Sequence, residues 1–454
     1  MDAKLTSKTS AMILLGKSAM TGALGGLLFG FDTAVIAGAT HPLTQQFSLS
    51  SWSLGITVSI ALWGTVAGAL GSGLLGQKIG SRAALRIMGI LYVISALGCA
   101  FAPTWIFFLV FRFIGGIGIG GSSVLGPVYI AELAPAKWRG RLVGLFQINI
   151  VIGILLAYLS NAIIERFHFG LIEWRVELGI AILPAALFLI LLLTVPQSSR
   201  WLVTQNRIDE ALLTLQAMGS PDSRAEVDAM LESMRAEDGQ GSSKLFAKSH
   251  RLPVFLAITI GMFNQLSGIN AILYYLNDIF ASAGFGQMSS SVQAVIIGVA
   301  NLLATLLGVS LIDKLGRKTL LLIGAAGCGV CLSGVAVLFR LGTHQSLLLP
   351  LLVGFIIFFA ISQGAVIWVY LSEVFPTNVR SKGQSLGSST HWIMNGIITL
   401  LFPVAAAYSR TLPFAFFAIM MVVQFVVVLA IYPETKGYSL EMLQQKMRQV
   451  GAGH

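Results

Sequence analysis

The chain reads as an all-α integral membrane protein, and three features predict it. Of its 454 residues 56% are hydrophobic and only 11% are charged, and the apolar residues gather in twelve long runs. A soluble core cannot enclose that much apolar surface. Crossing about 30 Å of hydrocarbon takes roughly 20 helical residues. Runs of that length fall near 18–38, 52–75, 84–102, 105–131, 142–163, 176–195, 253–281, 290–312, 318–340, 347–372, 382–408 and 413–432.

The net charge of +10 is an orientation signal and not a nucleic-acid footprint. With both termini placed in the cytoplasm, 24 of the 29 Lys and Arg fall on the inner side; Arg166, Arg175, Arg340 and Arg410 fall outside and Arg112 within a span. The three cysteines, Cys99, Cys328 and Cys331, lie inside spans, so no disulfide framework is implied, and Cys328-Gly-Val-Cys331 reads as packing. The chain contains no N-x-S/T sequon, which fits a bacterial inner membrane.

In chain order, the first run has the basic flank of a signal peptide. It is long, carries Asp32 and lacks a small-residue cleavage site, so it reads as a retained span. Asp32 is the only carboxylate placed well inside a span, and Arg112, in the fourth run, the only strong cation. Charges at that depth need a partner or a proton. The fourth run also holds Gly116-Ile-Gly118-Ile-Gly120-Gly121, which satisfies G-x-G-x-x-G. No strand precedes it, so the glycines read as close helix contact and not as a nucleotide loop. In the fifth run Gln147 and Asn161 share a face but sit about 21 Å apart along it, so only one can lie near mid-membrane.

Pro196 to Pro253 is the only long polar stretch, read as a cytoplasmic linker with short amphipathic helices near 207–217 and 222–236. The predicted organisation is a six-helix bundle over 1–195, the linker over 196–252, a second six-helix bundle over 253–432 and a cytoplasmic tail over 433–454. The seventh run carries Asn264, Gln265 and Asn270 around Ser267-Gly268, followed by Tyr274 and Tyr275. Each unsatisfied amide costs free energy in lipid. On a straight helix the three point in different directions, so either the helix unwinds near Ser267-Gly268 or a cavity surrounds it. Further along, Asn301 lies in the eighth run, Trp368 in the tenth, and His391, Trp392 and Asn395 in the eleventh, with His391 and Asn395 one turn apart on a shared face.

The halves echo each other. Glu132-x-x-Pro135-x-x-x-Arg139 recurs as Glu373-x-x-Pro376-x-x-x-Arg380, and Lys78-Ile-Gly80-Ser-Arg82 as Lys314-Leu-Gly316-Arg317-Lys318. Two copies in register argue for a duplicated half, with a site at the repeat interface. These charges are expected to pair across the halves and close the inner side in one state.

Together with the tail Pro433-Glu434-Thr435-Lys436-Gly437, the motifs Gly30-Phe-Asp32-Thr-Ala-Val-Ile-Ala-Gly38, Arg112-Phe-Ile-Gly-Gly116, Pro127-x-Tyr129-Ile-Ala-Glu132-Leu-Ala-Pro135, Gln265-Leu-Ser-Gly268-Ile-Asn270 and Ser372-Glu373-Val-Phe-Pro376 make the chain resemble the sugar porter family of the major facilitator superfamily. The resemblance covers essentially the whole chain. It implies twelve helices in two six-helix bundles and a central sugar site opening alternately to either side. It places Gln147, Asn264, Gln265, Asn270, Asn301, Trp368, His391, Trp392 and Asn395 at the sugar, and Tyr274 and Tyr275 at an outer gate. Asp32 and Arg112 become proton-coupling residues, and Arg82, Glu132, Arg139, Asp313, Arg317, Glu373 and Arg380 a cytoplasmic gate.

Carboxamides both donate and accept hydrogen bonds without charge, and indole planes suit the C–H faces of sugar rings. The competing readings are amides that bond helix to helix and tryptophans that anchor at the interface. The chain departs from the family pattern at Gln77 and Gln197, where acidic residues are usual, at Ala365 for Pro, at Asn264 for Gln and at His391 for Asn or Gln. Ala181 stands where some symporters carry Glu.

The expected activity is import of a neutral hexose or pentose with a proton. A facilitative uniporter, a polyol or inositol porter and a non-transporting sugar sensor are the alternatives. The expected partners are a monosaccharide, a proton and membrane lipid, with no nucleic acid and no cofactor, and the chain is expected to work as a monomer. The scattered histidines show no metal spacing, and no nucleophile or phosphate loop points to an enzyme.

Overall fold

The computed structural model describes residues 2–135, 138–220, 222–238, 245–247, 250–376 and 379–436. All regular structure among them is helical. In lipid a helix satisfies its own backbone hydrogen bonds, so an apolar run of this length has no other way to cross. The helices are α1 (Asp2–Phe47), α2 (Ser51–Ile79), α3 (Ser81–Ala100), α4 (Trp105–Leu133), α5 (Arg139–Glu165), α6 (Glu173–Gly179), α7 (Ile182–Leu193), α8 (Ser199–Thr204), α9 (Ile208–Ala217), α10 (Ser223–Asp238), α11 (Arg251–Leu266), α12 (Ile269–Tyr274), α13 (Leu276–Ser282), α14 (Gln287–Leu315), α15 (Arg317–Leu341), α16 (Leu348–Phe359), α17 (Ala365–Glu373), α18 (Arg380–Tyr408) and α19 (Leu412–Ile431). Twelve segments are long and apolar enough to span a membrane, matching the twelve runs read from sequence. The linker helices also fall where expected, as α9 and α10, with α8 added before them.

Three spans are interrupted. The sixth breaks between α6 and α7, the seventh divides into α11, α12 and α13, and the tenth passes through a π-helical turn, Ala360–Gly364, between α16 and α17. The seventh span therefore ends at Tyr274, short of residue 281.

The described residues form two compact units. The first comprises residues up to Asp32, Trp63–Ala157 and Trp174–Gly241. Its core joins α3, α4 and α7 through buried Leu85, Met88, Tyr92, Tyr129, Phe188 and Leu192. Lipid supplies no hydrophobic drive between helices, so close backbone contact takes its place. A Cβ at Gly30 would fall on the Ile150 carbonyl of α5, and one at Gly120 would sit 2.0 Å from the Thr65 carbonyl of α2. The glycine run of the fourth span is thus a packing surface.

The second unit comprises Thr33–Leu62, Tyr158–Glu173 and the residues from Ser242 onward. Within it α15 packs on α19 and α11 on α18. The C-terminal part of α1, the first half of α2 and the end of α5 belong to this unit. Tyr158 of α5 donates its hydroxyl to the Leu273 carbonyl of α12 at 2.8 Å, and a Cβ at Gly55 of α2 would lie 2.2 Å from the Leu400 carbonyl of α18.

Candidate functional site

In the first unit, Arg112 Nη1 donates to Asp32 Oδ1 at 2.7 Å, the two side chains being 4% and 17% exposed. The intramembrane charges that need partners have found each other, α1 supplying the acid and α4 the base. They border a small cavity, also lined by Tyr92, Ser95, Cys99 and Ala181. It has room for about one water, and Tyr92 and Ser95 add polar groups to its lining beside the ion pair. Arg112 Nε, buried, has no acceptor among the described residues. Ala181, where a carboxylate stands in some symporters, leaves this space open.

The amide segment lies in the second unit. Gly268, at φ 82°, divides α11 from α12 in the left-handed region that suits glycine. Ser267 stabilises the break: its hydroxyl donates to the Asn264 carbonyl at 2.7 Å and accepts from the Ile269 amide at 3.3 Å. The change of phase lets residues on different faces meet. Asn270 Nδ2 donates to Gln265 Oε1 at 3.2 Å, and Gln265 Nε2 donates to Asn264 Oδ1 at 3.1 Å. Gln265 Nε2 also lies 3.3 Å from both ring nitrogens of His391. The first of the two sequence alternatives, an unwound helix, is therefore what the chain adopts.

Around this amide chain stand three rings. The His391 imidazole lies 5.3 Å from the Trp368 ring and 5.1 Å, edge to face, from that of Trp392. Trp368 is 38% exposed, whereas His391 and Trp392 are buried. Asn395 is buried one turn after His391; its Oδ1 accepts from Thr399 at 3.2 Å and its Nδ2 has no partner among the described residues. Asn301 is buried on α14, and Asn161 donates to the Val35 carbonyl at 3.0 Å. Gln147 is half-buried on α5 and belongs to the first unit, so it is not among the residues that this cluster brings together. Tyr274 and Tyr275 are buried; the Tyr275 hydroxyl donates to the Thr399 carbonyl at 3.1 Å and its ring stacks on Phe402 at 5.2 Å.

Sequence reasoning passed over Gln363. It lies in the π-helical turn, is 1% exposed, and accepts at its backbone carbonyl from Asn264 Nδ2 at 3.4 Å. A Gln five residues before Trp368 in an apolar run carries the same cost signal as the amides of the seventh span.

The duplicated motifs build two helix corners of the same design with different chemistry. In the second unit Arg317 bridges Asp313 at 3.0 Å and Glu373 at 2.9 Å, and Glu373 accepts the Thr435 hydroxyl at 2.6 Å. Arg380 Nε donates to the Phe375 carbonyl at 3.3 Å. Glu434 accepts from the first amides of α15, Arg317 and Lys318, at 2.9 and 3.0 Å. In the first unit the corresponding cap is Gln197, whose Oε1 accepts from the Arg82 amide at 3.2 Å and whose Nε2 donates to the Ile79 carbonyl at 3.3 Å. Arg82 donates to the Val195 carbonyl at 2.8 Å, and Glu132 accepts from Ser81 at 2.8 Å. The ion pairs of the second corner lie inside one unit. The Arg139 side chain and Gly437 lie outside the described residues.

A family model described as "Sugar (and other) transporter" matches residues 18–447. The chain belongs to this family. Among the sugar transporters similar to it are the D-xylose transporter of Levilactobacillus brevis, 38% identical over 84% of each chain, and the arabinose-proton symporter of Bacillus subtilis, 35% identical over 93% of this chain and 92% of the relative. The galactose-proton symporter of Escherichia coli is 35% identical over 95% of both. The partially occluded inward-open xylose transporter XylE from E. coli superposes with a TM-score of 0.84, 31% identity, 94% of this chain and 99% of that one. XylE bound to 6-bromo-6-deoxy-D-glucose, described as a major facilitator superfamily proton:xylose symporter, superposes with a TM-score of 0.78 at 31% identity, over 96% of this chain and 99% of that one. The fold is thus that of the major facilitator superfamily, and the chain is a multi-pass membrane transporter.

Proposed function

We propose that this sugar transporter carries a neutral monosaccharide, a hexose or a pentose, inward together with a proton by alternating access. The observation that carries symport is the buried Asp32–Arg112 pair beside a water-sized cavity. A carboxylate held at that depth by a guanidinium can exchange its partner for a proton, which a purely structural pair has no need to do. The sugar hydroxyls would meet Gln147, Gln265, Asn270, Asn301, His391 and Asn395, with Trp368 and Trp392 against the ring faces. Tyr274 and Tyr275 would form the outer gate and the two duplicated corners the cytoplasmic gate. The Lys and Arg distribution supports cytoplasmic termini in a bacterial inner membrane.

Replacing Asp32 by Asn in proteoliposomes should abolish uphill accumulation driven by a proton gradient while leaving sugar exchange within about twofold of wild type. Uphill uptake that survives the change refutes symport. Ala181 favours the second reading, a facilitative uniporter, because it removes a second intramembrane carboxylate. Sugar uptake by a symporter alkalinises the outer medium, and uptake by a uniporter leaves it unchanged.

A further inference from the structure

Two amides adjoin in the seventh span, and their surroundings differ. Gln265, 1% exposed, has its polar ends on side chains alone, those of Asn264, Asn270 and His391, whereas Asn264 is also tied to backbone. Asn264 is 4% exposed and has both its polar ends taken by protein: Oδ1 accepts from Gln265 Nε2 at 3.1 Å, and Nδ2 donates to the Gln363 backbone carbonyl at 3.4 Å. The aromatic surface open nearby is Trp368, at 38% exposure.

The acceptor of that bond is unusual. Gln363 lies in the π-helical turn Ala360–Gly364, where the wider coil departs from the i to i−4 ladder and leaves carbonyls available to side chains. Neighbouring helices hold the turn in place. The Ser362 hydroxyl donates to the Phe358 carbonyl at 2.5 Å, and the space beside it exists because residue 324 of α15 is glycine, where a Cβ would lie 1.7 Å from Ser362 Oγ. Gly308 of α14 likewise admits the turn, a Cβ there lying 2.8 Å from Ile361 Cα. From the seventh span, Asn264 supplies the hydrogen bond to the turn. Five residues beyond Gln363 the chain reaches Trp368, so the extra residue of the π turn sets the direction in which that indole points.

We infer that Asn264 is a positioning residue that ties the broken seventh span to the π turn of the tenth, fixing Gln265 and Trp368 relative to each other, and that it does not itself bind a sugar hydroxyl. This rests on the monosaccharide reading for one arm of its test and not for the other. Without sugar, hydrogen–deuterium exchange of the purified full chain is compared between wild type, Asn264→Ala and the near-isosteric Asn264→Leu, which keeps the side-chain volume should the alanine variant fold poorly. Amides of residues 364–370 should exchange about five- to tenfold faster in both variants, the loss of one buried hydrogen bond, with α3 and α4 unchanged. Unaltered exchange over 364–370 overturns the strut.

With sugar, KM is measured for the transported monosaccharide and its monodeoxy analogues. A strut predicts that either variant raises KM about five- to tenfold for the parent and for every analogue. A variant effect that vanishes for one analogue identifies a direct hydroxyl contact and overturns the assignment. If wild type takes up none of the sugars, the monosaccharide reading fails while the exchange arm still decides the strut.

Discussion

Residues whose type is costly where they stand account for most of what the sequence reveals. Asp32 and Arg112 were each too expensive to sit alone in a span, and they are paired at 2.7 Å. Asn264, Gln265 and Asn270 could not share one face of a straight helix, and Gly268 breaks it between them. Gly268 carries two demands at once: φ is 82°, and a Cβ would lie 2.3 Å from the Phe417 ring. Gly268→Ala should therefore destabilise the chain by about 2–4 kcal/mol, left-handed strain and overpacking together. It should lower Tm in a thermal unfolding scan, and a Tm equal to wild type would show that the break does not depend on glycine. Gln363 carries the same cost signal but has no phase partner in sequence to assign it a face; its role comes from a carbonyl, which every residue has.

Among elements, the linker helices and the two corners were legible, but the interruptions of the sixth and tenth spans were not. Leu348–Phe359 is uniformly apolar, and the π turn after it is admitted by Gly308 and Gly324, on helices distant in sequence. Spacing cannot report a space cut by another helix. The caps of the two corners differ by one functional group, an amide at Gln197 and a carboxylate at Glu434. Burial works to raise the Glu434 pKa, but the amides of Lys436, Arg317, Lys318 and Thr435 outweigh it and hold the group below its ordinary 4.5. A depressed carboxylate contributes its stability above the unfolded pKa and loses it as pH falls through the folded one. The α15 cap is therefore at full strength throughout the neutral range and is lost only in acid below 4.5. Glu434→Gln should destabilise by about 1 kcal/mol at pH 7, as loss of a charged helix cap does, and by less at pH 3. Gln197→Glu should stabilise the α3 corner by less than this at pH 7, because the charged cap comes with loss of the Nε2 donation to the Ile79 carbonyl. Denaturant unfolding at the two pH values checks both, and equal effects of Glu434→Gln at pH 7 and pH 3 would contradict a charged cap.

For the whole molecule, hydropathy was enough to count twelve spans, and the duplicated motifs recur as two helix corners of one design. The compact units divide the chain elsewhere: the end of α1, the start of α2 and the end of α5 pack with helices from the second half, through contacts such as Tyr158 to Leu273 and Gly55 to Leu400. Pairings between residues so far apart in sequence leave no periodicity to read. Binding a monosaccharide at about a hundred times its Kd should stabilise the transporter by about 2.7 kcal/mol. A rise of a few degrees in Tm follows, measurable by thermal shift in detergent, and no shift with any hexose or pentose would count against the proposed substrate class. The short segment after α19 has a further bearing, on biosynthesis. Tyr432 stacks on Tyr370 at 5.4 Å and shares a 2.7 Å hydrogen bond with Thr259; Glu434 caps α15, and Lys436 Nζ donates to the Lys314 carbonyl. The α15 corner thus waits, during synthesis, for residues made more than a hundred positions later. A nascent chain arrested before Tyr432 would hold every span and lack this lock, so the corner is completed only after the last span has been made.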